Sequence, residues 1–228
     1  MVMHNPTTVL ITKQNRFCKD AYHITEMTFG TDFYHFSGGN DDSFPEELYK
    51  LKPDYIFSFL SPWIIPKALL MNAGLAINWH PGSCEYPGTG CYNFALYEGA
   101  EEFGITCHHM APQVDTGDII EEFRFPVLEN DTVETLKLRT MINLLFSFQG
   151  VMTDIAKNKK LPLSQVNWTR KPFTRKDLEE LRVIRPDMNS DEVQRRIRAT
   201  TYPKYLAPYC SISGNRFFYE TPTRDPIV

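Results

Sequence analysis

Hydrophobic positions along the chain fall into short runs separated by polar, Pro- and Gly-rich turns. Three runs stand near the start: the β-branched TTVLIT at residues 7–12, FYHFSG at 33–38, and YIFSFLS at 55–61, which is almost wholly apolar or small. Such continuous runs predict strands buried on both faces. FPEELYKLKP, opened by Pro45 and stopped before Pro53, predicts a helix between the second and third. Then follow PKALLMNAG, a short helix ended by Gly74, the fourth strand LAINWH, and the helical GCYNFALYEGA. GITCHHM and DIIEEFRFPV predict two more strands, flanking the loop APQVDTG. The alternation reads as βαβ units around a mostly parallel sheet in an α/β fold.

A long helix is predicted from Asn130 or Asp131, where Asp131 and Glu134 make a capping-box-like pair, to the sequence KNKK. Its apolar stripe (Val133, Leu136, Met141, Leu144, Leu145, Phe148, Met152, Ile155) belongs to the core. At Leu161 the texture becomes Pro-punctuated, basic and aromatic, which sets the expected boundary between a domain over 1–160 and an extension over 161–228. In the extension, NSDEVQRRIRA predicts a helix capped by Asn189 or Ser190, and YCSISGNRFFYE a β-hairpin turning on Gly214 and Asn215.

Composition narrows the class. At 42% hydrophobic and 23% charged residues, the 228-residue chain has the make-up of a folded globular protein. It has no apolar run of membrane-spanning length and no signal-peptide pattern at its start, so a cytoplasmic protein without a membrane partner is expected. Five cysteines (Cys18, Cys84, Cys91, Cys107, Cys210) without CxxC spacing predict free thiols. Residues 1–160 hold 12 Lys and Arg against 20 Asp and Glu, whereas 161–228 hold 12 against 8. A mildly basic tail suits a small phosphorylated ligand better than a nucleic-acid duplex.

The candidate chemistry lies in AINWHPGSCEYPGTG. On a strand, Asn78 and His80 share a face, presenting an amide that donates to an oxyanion and an imidazole that carries a proton. Asp115, in QVDTGDII, can fix the imidazole, with Gly117 allowing a tight turn. Taken singly, each residue has an ordinary structural role, as strand end, loop histidine or Asx turn, and spacing alone does not decide. A zinc site from His80, His108 and Asp115 matches no common ligand spacing, so no metal is assigned. His108 and His109 are adjacent and point to opposite faces of a strand, so one of them at most lines a cleft.

The ordered set N-W-H-P-G, Y-P-G-T-G, A-L-Y-E-G, G-I-T-C-H and V-D-T-G-D-I-I, within residues 55–120, resembles the signature of the folate-dependent formyltransferases. The resemblance implies a Rossmann-like formyltransferase domain and Asn78, His80 and Asp115 as the catalytic set. It implies 10-formyltetrahydrofolate as formyl donor, held by the loop of Pro62, Trp63, Ile64 and Ile65 together with His108, Val114 and Asp118. Gly82 departs from the Ser that many members have after His-Pro, and is similar to the form in members acting on nucleotide-linked amino sugars.

The tail of 68 residues is short for the basic domain expected of a methionyl-tRNA formyltransferase, and long for a glycinamide ribonucleotide formyltransferase. I-R-A-T-T-Y-P resembles a segment of sugar-modifying members. The expected reaction is therefore formyl transfer to the amine at carbon 3 or 4 of a dideoxyhexose carried by dTDP. In this reading His80 is the base, and Tyr202, Tyr205 and Arg198 bind the nucleotide. A homodimer is expected, and nucleic acid is not expected as a partner. Glycinamide ribonucleotide formyltransferase, a formyltetrahydrofolate hydrolase and a folate-binding module without turnover are the alternatives.

Overall fold

The computed structural model describes residues 6–203 and 207–220. A six-stranded sheet in the order β2-β1-β3-β4-β5-β6 forms its centre. The strands are β1 (Thr8–Lys13), β2 (Tyr34–Gly38), β3 (Tyr55–Phe59), β4 (Leu75–His80), β5 (Glu102–His109) and β6 (Ile119–Pro126). The first four run parallel, and β5 and β6 are each antiparallel to their neighbour. The near-continuous apolar character of β1 and β3 is explained by layers on both sheet faces.

One face carries α1 (Arg16–Phe29) and α4 (Val133–Ala156) over a core of Leu10, Phe57, Phe59, Ile77, Trp79, Ile105 and Phe148. On the other, a 3-10 helix (Glu46–Lys50) and α2 (Lys67–Asn72) cover Val9, Ile11 and Ile56. Alternation along β1 and β3 sorts these side chains to opposite faces. A third cluster joins α3 (Cys91–Glu98) and the first turns of α4 to Leu181, Ala199 and Tyr202.

The long helix starts later than its acidic pair suggests. Thr132 caps it, Thr135 answers in a reciprocal capping box, and Asp131 instead accepts from Leu128 N at 2.7 Å and Thr135 Oγ1 at 2.9 Å. Helix α1 carries signals left unread in the sequence: the Asn15 side chain accepts from Cys18 N at 3.0 Å, and Gly30 ends it at φ +80°. FPEELYKLKP holds only the 3-10 turn, closed by Leu48 N to Pro45 O and Leu51 N to Leu48 O at 3.2 Å each, and Leu51 is already extended ahead of Pro53.

Beyond residue 160 the chain shares the core of the rest. Its N-terminal stretch is stitched to the first 126 residues by Ser164 N to Ile119 O, Thr169 N to Cys84 O and Phe173 N to Pro87 O, at 2.9, 3.2 and 2.9 Å. Helices α5 (Arg175–Leu181) and α6 (Ser190–Thr200) follow, α6 capped by Asn189. Asn93 Nδ2 donates to Ala199 O at 2.6 Å, anchoring α6 on α3. The hairpin β7 (Tyr209–Ile212) and β8 (Asn215–Phe218) turns on Ser213 and Gly214, both left-handed at φ +51° and +80°. Among the described residues, no helix is long and apolar enough to cross a membrane.

Phe148 is fully buried and meets Trp79 and Phe59 edge-on, with centroids 4.6 and 5.1 Å away. Phe148→Ala is expected to destabilise the fold by about 3–5 kcal/mol, measured by denaturant unfolding. Phe146 on the same helix is 77% exposed. Phe146→Ala is expected to change stability by no more than about 0.5 kcal/mol in the same measurement.

Candidate active site

The carboxyl ends of β1, β3 and β4 open into a cleft of about 860 Å³, where open α/β sheets form ligand crevices. Asn78 and His80 project from one face of β4, as their spacing predicts. The β4–β5 register places His108 directly opposite Asn78 and His109 opposite Ile77, so His108 joins the site and His109 does not.

Asp115 gathers these groups. It is 5% exposed and left-handed at φ +48°, a conformation that short polar residues tolerate. One carboxylate oxygen lies 3.1 Å from His80 Nδ1 and accepts from Gly88 N at 2.8 Å. The other lies 3.2 Å from His108 Nε2 and 3.4 Å from Asn78 Nδ2. Gly117 makes the loop possible through close approach: a Cβ there would sit 1.8 Å from His109 O.

Ser58 fixes the direction of the amide. Its hydroxyl donates to Asn78 Oδ1 at 2.7 Å, which turns Nδ2 toward His108 Nε2 at 3.1 Å. Its signal in the sequence is a serine at the middle of YIFSFLS, a run that also ends on Ser61, so the hydroxyl alone does not mark it. His108 Nδ1 donates to His109 O at 2.8 Å, which leaves its Nε2 facing both Asn78 Nδ2 and Asp115.

The other nitrogen of His80, Nε2, donates to Tyr86 O at 2.8 Å, so both ring nitrogens are engaged. Gly82 permits this bond, since a Cβ would lie 2.5 Å from His80 Nε2 and 2.9 Å from Tyr86 O. Thr106 holds the turn by donating to Gly82 O at 2.7 Å. Trp168 walls the pair, edge-on to His80 and His108 at centroid distances of 5.8 and 5.1 Å, with its indole N–H on Gly117 O at 2.8 Å.

Pro62, Trp63, Ile64, Ile65 and Val114 line the cleft. Ile64 is 71% and Val114 43% exposed, apolar surface in a concave place where a ligand would cover it. Ile65 is buried and also packs under α2, while Trp63 uses its indole N–H on Asp42 O at 2.8 Å.

Other expected contacts lie elsewhere. Asp118 is exposed outside the cleft lining, and its carbonyl accepts from His109 N. Tyr202 is buried beside α3 with its ring under Lys137, leaving no free face for a base to stack on. Arg198 donates to Asp131 O at 3.0 Å and Leu128 O at 3.2 Å, holding the turn before α4. Tyr205 lies outside the described residues. Cys84, Glu85 and Glu122 come within metal-ligand distance of one another, but the Arg124 guanidinium already pairs with both carboxylates.

An amide donor, an imidazole and a buried carboxylate at the strand ends of an α/β sheet define a crevice suited to chemistry at a carbonyl carbon. The sequence pattern described as "Formyl transferase" matches residues 3–143, and the chain belongs to that family. Methionyl-tRNA formyltransferase from Geobacillus sp. (strain WCH70) is 30% identical over 122 residues, covering 53% of this chain and 38% of that protein. The chain spans less than half the length of the curated relatives it matches. A 4-N formyltransferase from Francisella tularensis shares the fold at TM-score 0.78 and 20% identity, over 97% of this chain and 99% of that one. So does the N-formyltransferase from Helicobacter canadensis solved with folinic acid and dTDP-3-aminofucose, at TM-score 0.73 and 20% identity, over 92% and 86%.

Burial lowers the His80 pKa, but the charge of Asp115, the hydrogen bond to it and the Tyr86 carbonyl outweigh burial and raise it above 6.5. Burial raises Asp115, and its two imidazole partners outweigh that to hold it far below the carboxylate range. The His80 contribution to stability is therefore complete below pH 6.5 and lost as pH rises through the folded pKa. The Asp115 contribution is present above pH 3.8 and lost as pH falls toward its folded pKa. In an NMR titration His80 is expected to titrate above 6.5, and in Asp115→Asn below it, because burial then dominates. A wild-type value at or below 6.5 contradicts the pairing.

Proposed function

We propose that the protein is an N-formyltransferase that moves a formyl group from 10-formyltetrahydrofolate to the amine at carbon 3 or 4 of a dTDP-linked dideoxyhexose. The observation that carries this reading is the Asn78, His80, Asp115 constellation at the centre of a cleft with an apolar wall. The likeness in fold to the Helicobacter canadensis N-formyltransferase supports the acceptor class through its dTDP-3-aminofucose and the donor class through its folinic acid.

In the proposed reaction the apolar wall of Trp63, Ile64, Ile65, Met110 and Val114 holds the folate ring, which fits the exposed apolar surface of Ile64 and Val114. The acceptor amine forms the new C–N bond at the formyl carbon. Asn78 Nδ2, aimed by Ser58, donates to the oxyanion of the tetrahedral intermediate. The imidazole of His80 takes the proton from the attacking nitrogen and returns one to the departing folate nitrogen as the old C–N bond breaks. To accept that proton His80 must first be neutral, so Asp115 and the Tyr86 carbonyl set the pH at which it can act. Trp168 shields the imidazoles from water, which strengthens each electrostatic contact. The exposed apolar side chains of the hairpin, Ile212, Phe217 and Phe218, suit a homodimer contact.

The test is a mass-spectrometric assay with 10-formyltetrahydrofolate and a panel of dTDP- and GDP-amino sugars, with glycinamide ribonucleotide and methionyl-tRNA as competing acceptors. Gain of a formyl group by a dTDP-amino sugar is expected, and formylation of another acceptor alone overturns the acceptor assignment. His80→Asn is expected to reduce turnover on the order of 10²- to 10⁴-fold while the protein stays folded. Ser58→Ala, which frees the Asn78 amide to rotate, is expected to lower kcat about 10- to 100-fold with little change in KM for folate. Unchanged kcat in folded Ser58→Ala removes the positioning role.

A further inference from the structure

The cleft is chemically divided by the sheet it sits on. Its apolar wall lies on the side of the β3–α2 loop, with Trp63, Ile65 and Met110 in the cluster under α2. On the α1 and α4 side it is bounded by Phe17 and Met141, and four cations line it there: besides Arg16, whose guanidinium lies over the Phe17 ring, three come from three separate elements. These are Lys13 at the end of β1, Lys137 in the second turn of α4 and Arg175 at the start of α5.

Among the described residues, no carboxylate pairs with Lys13 or Arg175. The one carboxylate lining the cleft is Asp115, already engaged by His80, Gly88 and His108. A half-buried ammonium held close to other cations without a counter-ion is costly. Burial first, and then the like charges of Lys137 and Arg175, push the Lys13 pKa below 10.5. A polyvalent anion arriving here would relieve that repulsion.

We infer that Lys13, Lys137 and Arg175 form the subsite for the diphosphate of the acceptor, an assignment that rests on the amino-sugar reading above. The spacing agrees. Strand β3 alone separates β1 from β4, so the ends of β1 and β4 lie two strand spacings apart, roughly 10 Å. A hexose spans a comparable distance from its distal amine, which must reach His80, to the diphosphate on its anomeric carbon. Three cations in a concave site suit a compact di- or trianion, and Arg supplies a forked donor for phosphate oxygens. A nucleic-acid backbone is disfavoured, because residues 1–160 carry 20 acidic against 12 basic side chains. The subsite stands in place of Tyr202 and Arg198, which the fold commits to packing.

Binding of inorganic pyrophosphate, dTDP and 5-formyltetrahydrofolate by calorimetry to wild type, Lys13→Met and Arg175→Met tests the assignment, with circular dichroism to confirm the fold. Both phosphates are expected to bind the wild type, more weakly as salt rises, and to lose about 10- to 100-fold in affinity in each variant. Folate affinity is expected to stay unchanged. Unaltered phosphate affinities in both folded variants overturn the subsite. Arg175 is exposed, so Arg175→Met keeps the test decisive if Lys13→Met does not fold. Pyrophosphate binding that depends on Lys13 and Arg175, without formylation of any dTDP-amino sugar by the wild type, leaves the subsite standing and removes the acceptor reading. Formylation with unchanged acceptor KM in both variants does the reverse.

Discussion

The buried carboxylate of Asp115 is the constraint on which the site depends. Removing a charge from water costs several kcal/mol unless its oxygens are met by donors of the right geometry. Here the partners arrive from β4, β5 and the loop carrying Gly88. Each must be held within hydrogen-bonding distance, so satisfying one carboxylate fixes the relative positions of three chain segments. The left-handed backbone of Asp115 and the missing Cβ of Gly117 show that the loop is shaped to deliver this side chain.

The sheet topology makes that convergence possible. Parallel strands β1, β3 and β4 all end at the same edge, which creates the crevice, while β5 returns antiparallel beside β4. The antiparallel pair is what sets His108 opposite Asn78, because residues facing each other across a ladder share a face. A parallel β5 would have needed a crossover and a different register. Residues beyond 160 then complete the enclosure: Trp168 covers the imidazoles, and Phe173 pairs with Gly88, the glycine that donates to Asp115.

Much of this was legible because local physics and tertiary packing agree. Asn78 and His80 sit where period-two alternation places them, and the apolar runs of β1 and β3 became central strands. Features set by long-range partners could not be read in the same way. Ser58 is an unremarked hydroxyl until the register lays it beside Asn78, and the Tyr86 carbonyl has no side-chain signature. Tyr202 and Arg198 illustrate the opposite failure. An aromatic and a cation near a Pro suggest a nucleotide contact, but tertiary packing turned one into core and the other into a brace for α4. Helix α1 was missed although both of its caps were present, because its polar side chains obscured a narrow buried stripe at Phe17, Cys18, Ala21 and Thr25.

The resting geometry of His80 bears on how the site can turn over. With Nδ1 on Asp115 and Nε2 on the Tyr86 carbonyl, the ring meets two acceptors, an arrangement that stabilises the imidazolium. A base must start neutral, so a proton has to leave before transfer. His108 shares the Asp115 carboxylate, with its Nε2 3.2 Å from the oxygen that His80 does not meet. Gly82 enters this account directly. By leaving space at Nε2 it admits the Tyr86 bond, whereas a side chain at that position would displace the ring and leave Asp115 as its main acceptor. A single missing Cβ thus couples the turn after β4 to the protonation state of the group that moves the proton.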